Sequence, residues 1–161
     1  MKDALEDAEE ELKRADHLLY VSMKYTRTVD VIKAIIERLI SAYDFMMEAL
    51  LRYAKSKNKS FEEAKTPGLR LRIIRELFQK DERILEELDF YSLLRRIMRS
   101  KYKRVGEYRR NVAMIVEFDN STNGEGGELV IDTERITSYY KRAVDFFNYL
   151  RREYLGVEEP P

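Results

Sequence analysis

FYSLLRRIMRSKYKRVGEYRR, residues 90–110, joins helix-patterned text on its N-terminal side to the only strand-patterned text in the chain. Phe90, Leu94, Ile97 and Met98 recur at helical spacing and supply a core face. From Arg95 onward the stretch carries eight Lys/Arg residues against one acid, Glu107, a local charge of +7 in a chain whose net charge is zero. Arg95, Arg99 and Tyr102 fall on one helical stripe, with Arg96 and Lys103 beside it. Lys101, Arg104, Arg109 and Arg110 follow in the connection and the start of the strand text, with Tyr108 among them.

Downstream the period changes. Val112, Met114, Val116 and Phe118 alternate with Ala113, Ile115 and Glu117, which is strand text. Asp119 to Gly127 is turn chemistry, and Glu128–Asp132 is a short partner strand. These segments predict one β-hairpin over about 111–132, which is marginal alone and has to lie on the helices. Thr133 is placed to cap a last helix from Glu134 to about Leu155. Its apolar face runs through Ile136, Tyr139, Tyr140, Ala143, Val144, Phe146, Phe147 and Leu150, with Lys141, Arg142, Arg151 and Arg152 outward. Gly156 ends it, and 156–161 is a tail.

Upstream, Leu5, Ala8, Leu12, Ala15 and Leu19 predict an amphipathic helix from Lys2 to about Met23. Tyr25-Thr-Arg-Thr is a break, after which Thr26 or Thr28 can cap the longest helix, about Val29 to Lys57. The wide apolar face of that helix makes it the centre of a bundle. Ser60-Phe-Glu-Glu has capping-box spacing. Thr66-Pro67 reads as N-cap and first helical residue of a third helix ending near Lys80. Asp81 caps the next segment, and Asp89 could cap it anew, so 81–101 reads as one kinked helix or as two. The fold class is mainly α: an up-and-down bundle of about five helices with one inserted β-hairpin, forming a single domain over 1–155.

Composition closes off several chemistries. With no cysteine, thiolate metal sites and cysteine nucleophiles are excluded. No apolar run reaches the roughly 18 residues of a membrane span, and the first residues lack a signal-peptide pattern, so a cytoplasmic protein with no membrane partner is expected. High Lys, Glu and Arg content without Cys also fits a thermophile's composition. His17 is the sole histidine, so Ser–His–Asp catalysis would have to use it, and no serine sits in nucleophile-elbow text. A packed or rim position is the plainer reading of His17. Asp119–Gly124 matches the first positions of a calcium loop, but position twelve is Val130, and an ordinary polar loop is the plainer reading. No Glu-x-x-His occurs, which removes the di-iron reading of a helical bundle. No cofactor and no metal are expected.

The basic stretch therefore remains. Arginine forks bind phosphate and tyrosines stack on unpaired bases, so Arg95, Arg96, Arg99, Lys101, Tyr102, Lys103, Arg104, Tyr108, Arg109 and Arg110 form a candidate surface for single-stranded RNA or a phosphate ligand. The alternative is a solvated face paired to the first helix, where six acids fall within residues 1–11, in the same chain or in a second copy acting as a scaffold.

Three features also carry a family resemblance: the opening AEEELKRAD (Ala8–Asp16); Ser41-Ala-Tyr43 with Met46 to Leu50 in the long apolar helix; and Arg95-Arg96-Ile-Met-Arg99 followed by Tyr102 or Tyr108. In these the chain resembles the HEPN family, small helical bundles of prokaryotic toxin–antitoxin and defence systems. Members that cleave RNA carry Arg, four to six residues, then His. Here Arg99 is followed five residues later by Arg104, and no histidine lies downstream. The resemblance thus implies a non-catalytic member with a basic groove, a homodimer, and a partner such as RNA or a nucleotidyltransferase.

Overall fold

A computed structural model of the protein describes residues 1–119 and 126–156. Helix α1 (Lys2–His17) continues through a π-helical turn (Leu18–Ser22) and a last turn to Tyr25. Its buried side, Ala4, Leu5, Ala8, Leu12, Ala15, Leu19 and Met23, is the apolar series of the sequence. Three residues then reverse the chain into α2 (Val29–Ser56). Thr28 is the cap: its Oγ1 accepts from the Val31 amide at 3.3 Å, and Asp30 sits in the positive first turn. α1 runs back along α2, and Glu11, buried between them, receives Arg14 at 2.8 Å and Arg38 at 3.2 Å.

α3 (Pro67–Leu77) starts as expected, with Thr66 Oγ1 accepting from Leu69 and proline at the first helical position. The Ser60 capping box, by contrast, opens no helix, since 59–65 has no regular structure. Tertiary contact overrides the local motif there: Phe61 packs against the core, with the Lys55 ammonium 5.7 Å from its ring. α4 (Glu82–Arg99) is one unbroken helix capped by Asp81. Asp89 caps nothing and instead reaches across to Arg75 at 2.5 Å.

α4 stops at Arg99, so Tyr102 and Lys103 do not share its stripe. Ser100 turns extended, and its hydroxyl donates back to the Arg96 carbonyl at 2.6 Å. Lys101–Val105 is then a strand, β1, beside β2 (Ala113–Phe118) and β3 (Gly127–Asp132), in the antiparallel order β1-β2-β3. The hairpin is present, and β1 is the addition to it. Four of the five β1 residues are exposed, so its alternation leaves no apolar signature in the text. Tyr102 pairs with Val116, and Arg104 with Met114. Met114, Val116 and Ile131 are fully buried and press the sheet onto the bundle. α5 (Thr133–Leu150), extended by a π-helical turn to Leu155, is capped by Asp132 rather than Thr133: the strand's last carboxylate accepts from Arg135 at 2.8 Å. Gly156, in the left-handed conformation, ends it.

α2 touches every other helix and β2. Around its Tyr43, Phe146 stacks at 5.8 Å and Phe90 meets it edge-on at 5.7 Å. Arg142 of α5 does not simply face out: its Nε donates at 2.6 Å to Glu87, a carboxylate 1% exposed that also accepts from the Tyr43 hydroxyl.

The two ends of α2, about 40 Å apart at 1.5 Å per residue, carry different structures. The sheet sits over the N-terminal end. At the other end a cleft of about 980 Å³ is walled by Tyr53, Phe78, Tyr149 and Tyr154 around Asp81. Burial opposes the Asp81 charge. Hydrogen bonds from Tyr154 at 2.6 Å, Tyr149 at 2.7 Å and the backbone outweigh it and hold the carboxyl below its usual value, while burial and Asp81 push the Tyr149 hydroxyl up to about 12. A depressed folded-state value means stabilisation that is present above the unfolded value, near 4, and lost as pH falls through the folded one. Asp81→Asn is therefore expected to lower the melting temperature more at pH 6 than at pH 3. A constant gap between the two pH values would exclude Asp81 as the source.

Candidate nucleic-acid interface

The structure divides the ten candidate residues into groups with different availability. Arg95 is turned inward: its guanidinium donates to the Tyr91 hydroxyl at 3.2 Å, and that hydroxyl donates to Asp44 at 2.6 Å, where Arg70 also binds. Arg96 lies over the Phe118 ring, 4.2 Å from its centre. Arg99 and Lys101 are exposed at the helix-to-strand junction, and neither has an ion pair among the described residues.

Alternation along β1 sends Tyr102 and Arg104 toward the start of α2. Lys33 donates to the Tyr102 hydroxyl at 3.2 Å and lies 4.7 Å from the ring centre, which depresses the hydroxyl pKa. Arg104 lies 5.5 Å from the same ring. With two cations already on it, Tyr102 is a poor stacking platform. Arg104 is also engaged by Asp30 at 2.8 Å and Glu107 at 3.2 Å, and its hydrogen bond holds the Asp30 carboxyl below its usual value. Lys103 pairs with Glu117 at 3.0 Å. The basic stretch is thus neutralised in part by Asp30, Glu107 and Glu117, and not by the acidic first helix of its own chain. There Glu9 and Glu10 face Lys13, and Glu11 faces Arg14 and Arg38.

The turn after β1 behaves differently. Gly106 is left-handed (φ 65°), and Glu107 then reaches back so that its Oε2 accepts from the Val29 amide at 3.1 Å, adding a second cap to α2. Tyr108 is also left-handed (φ 67°), an unusual state for an aromatic residue, fixed by its amide donating to the Arg27 carbonyl at 2.6 Å. Tyr108 is 76% exposed, and Tyr25, two residues before Arg27, is 79% exposed, the two highest values among the exposed large hydrophobic residues described. Lys24, Arg27, Arg109 and Arg110 surround these rings in sequence and have no ion pair among the described residues.

Lys24, Tyr25 and Arg27 were not among the residues singled out from the sequence. Their signal was nevertheless present: Lys24-Tyr-Thr-Arg27 differs from Lys101-Tyr-Lys-Arg104 only in having threonine for the second lysine, inside a segment read only as a break. The Tyr108–Arg27 bond brings the 24–27 segment to the turn after β1. From Lys101 to Val105 the strand covers about 13 Å, so the Arg99–Lys101 pair and the Tyr108–Arg110 turn stand at opposite ends of the sheet rather than in one patch.

Other candidates take simpler places. His17 is exposed on the rim of a groove between α1 and α5, beside Asp16, which accepts from the Tyr140 hydroxyl at 2.8 Å. The calcium-like loop, beyond Asp119, lies outside the described residues. Among the described residues no helix is long and apolar enough to cross a membrane, and no group of three or more His, Cys, Asp or Glu side chains is placed to hold a metal ion. The chain matches no protein-family model, and neither a curated protein nor a solved structure matches it.

Proposed function

We propose that this protein binds single-stranded RNA, as a non-catalytic HEPN-like module, through Tyr108, Arg109 and Arg110 together with Lys24, Tyr25 and Arg27. The observation that carries the reading is the Tyr108 turn: a strained backbone, tied to Arg27, presents an exposed ring between cations that have no partner among the described residues. Tyrosine rings stack on any unpaired base, and unpaired arginines meet the phosphates between them. A surface of this kind tracks a strand without reading its sequence. The reading needs no cleavage step, and Arg99 and Arg104, which the resemblance set against the Arg-to-His spacing, stand on different elements.

Fluorescence anisotropy with a labelled single-stranded RNA tests it. Tyr108→Ala is expected to weaken binding about tenfold, from a stacking loss of about 1.4 kcal/mol. Arg109→Ala with Arg110→Ala should flatten the salt dependence by about 1.4 logarithmic units per decade of salt, at roughly 0.7 for each phosphate contact. Lys103→Ala, already paired with Glu117, should change little. Affinity indifferent to salt and to these three substitutions would defeat the proposal. Loss confined to Arg99→Ala with Lys101→Ala would move the surface to the other end of the sheet.

A second reading has one observation in its favour. Asp3, Glu6 and Asp7 of α1 are exposed and find no cation among the described residues, which leaves them for the basic stretch of a second copy in a scaffold. Sedimentation at low and high salt separates the readings, since this contact would vanish at high salt.

A further inference from the structure

Where the outer face of the sheet meets α5, a cleft of about 740 Å³ opens beside the 106–110 turn, which contributes Arg110 to it. That volume is in the ordinary range for small-ligand sites. The floor is apolar. Ala113 lies opposite Asp132 in the ladder and so shares the outer face with Val130, which is 44% exposed. The wall facing Arg110 is a polar stripe of α5: Thr137, Ser138 and Lys141 follow Glu134 by three, four and seven residues, which puts all four on one side of the helix.

Two cations and two carboxylates line this cleft, and they are not equally engaged. Arg110 and Lys141 have no ion pair among the described residues. The Asp132 carboxylate is occupied as the cap of α5, accepting from the Arg135 amide at 2.8 Å. Glu134 is exposed, with no ion pair or hydrogen bond among the described residues. The Thr137 hydroxyl donates to the Thr133 carbonyl at 2.7 Å, while that of Ser138 has no partner among the described residues. Opposite charges in equal number give the cleft no net pull on a bare phosphate. They suit a ligand that carries an anion and a hydroxyl donor together.

We infer that this cleft takes one ribonucleotide of a bound strand, with the ribose over Ala113 and Val130, phosphates at Arg110 and Lys141, and the 2′-hydroxyl between Glu134 and Ser138. The inference rests on the RNA-binding proposal above and sharpens it to RNA rather than DNA. A 2′-hydroxyl donates and accepts at once. Glu134 supplies the acceptor and Ser138 the donor. A deoxyribose offers neither group, and the Glu134 carboxylate would lose water without gaining a donor. Glu134 and Lys141 stand about 10 Å apart along the axis of α5, so the carboxylate and the ammonium meet different parts of the nucleotide. Arg110 belongs to the turn and to the cleft alike, which makes the nucleotide in the cleft a neighbour of the base stacked on Tyr108.

Anisotropy with labelled oligouridylate and oligodeoxyuridylate of one length, which differ only in the 2′-hydroxyl, tests it. The RNA is expected to bind about tenfold more tightly, as one hydrogen bond to a charged group allows. Glu134→Ala should bring the ratio close to one by weakening the RNA complex alone. Glu128→Ala, on β3 but outside the cleft, should leave the ratio unchanged. Lys141→Ala should weaken both complexes alike and lower the salt slope by about 0.7. Equal affinity for the two strands, with Tyr108→Ala still weakening both, would overturn the inference and leave single-strand binding standing. So would a preference for RNA that survives Glu134→Ala. Should neither strand bind, the RNA-binding proposal falls and mononucleotides decide the cleft by themselves. Uridine monophosphate is then expected to shift the Val130 and Ser138 amide NMR signals at concentrations where deoxyuridine monophosphate does not, and no difference between the two would overturn the inference.

Discussion

Arg142→Ala is expected to cost about 3 kcal/mol at pH 7, the lower part of the range for removing one member of a buried ion pair, because Arg142 keeps 43% of its side chain exposed. Glu87 lies beneath it, 1% exposed, with Tyr43 as its one other side-chain hydrogen-bond partner among the described residues. Burial raises the Glu87 pKa, and the Arg142 hydrogen bond and charge oppose the rise. In the variant, burial meets much less opposition and the pKa climbs further. A carboxyl with its folded value above the unfolded one, near 4.3, binds more protons when folded. The stability it contributes is complete below that unfolded value and is lost as pH rises through the folded one. The Arg142→Ala deficit should therefore shrink toward pH 4, where Glu87 takes a proton, and widen toward pH 7. Urea denaturation at both values reads it directly. Equal losses at pH 4 and pH 7 would show that the arginine acts by packing on Phe90, 4.4 Å from its guanidinium, and not by charge.

Gly106→Ala is expected to be nearly as costly and to change function as well. A Cβ at this position would stand 2.7 Å from the Asn111 carbonyl oxygen and 2.7 Å from its side-chain oxygen. The side chain can rotate away; the backbone carbonyl cannot. Left-handed backbone adds about 1 kcal/mol for a residue with a Cβ, so roughly 2–3 kcal/mol in total is expected, read as a fall of about 8 °C in melting temperature for a domain of this size. The turn would also swing away from α2, releasing the Glu107 cap on Val29 and the Tyr108 bond to Arg27. On the RNA-binding proposal, affinity should drop with it even at temperatures where the protein is folded. An unchanged melting temperature would mean that the turn tolerates another conformation, and the argument for a fixed Tyr108 would fall with it.

These two sites show what a single sequence reveals and what it conceals. Helix starts were legible because they are local chemistry: Thr28, Thr66 and Asp81 each accept from an amide three residues on, at the positions the text marked. The hairpin at 113–132 was legible because one of its faces is buried and the alternation survives. β1 was not, since its inner residues are Tyr102 and Arg104, which meet other polar groups and leave no apolar beat. Ser60 carried the right local text and lost to the packing of Phe61. Within the basic stretch, charge could be counted but not spent: only coordinates show Arg104 held by Asp30, 74 residues away, and Lys103 held by Glu117. The tyrosine that remains available, Tyr108, was named, while its neighbours at 24–27 come from a distant part of the chain that a search along one segment passes over.

The antiparallel run of α1 along α2, and the seating of Tyr154 against Tyr53 at 4.9 Å, have a practical consequence for anyone handling the molecule. The start of α1 and the turn around Tyr154 thus both lie toward the C-terminal end of α2, some 40 Å from the Tyr108 turn by the rise of that helix. A tether, fluorophore or fused domain attached at either point would leave the turn facing outward. On the RNA-binding proposal, surface-immobilised protein should bind a strand as well as protein free in solution.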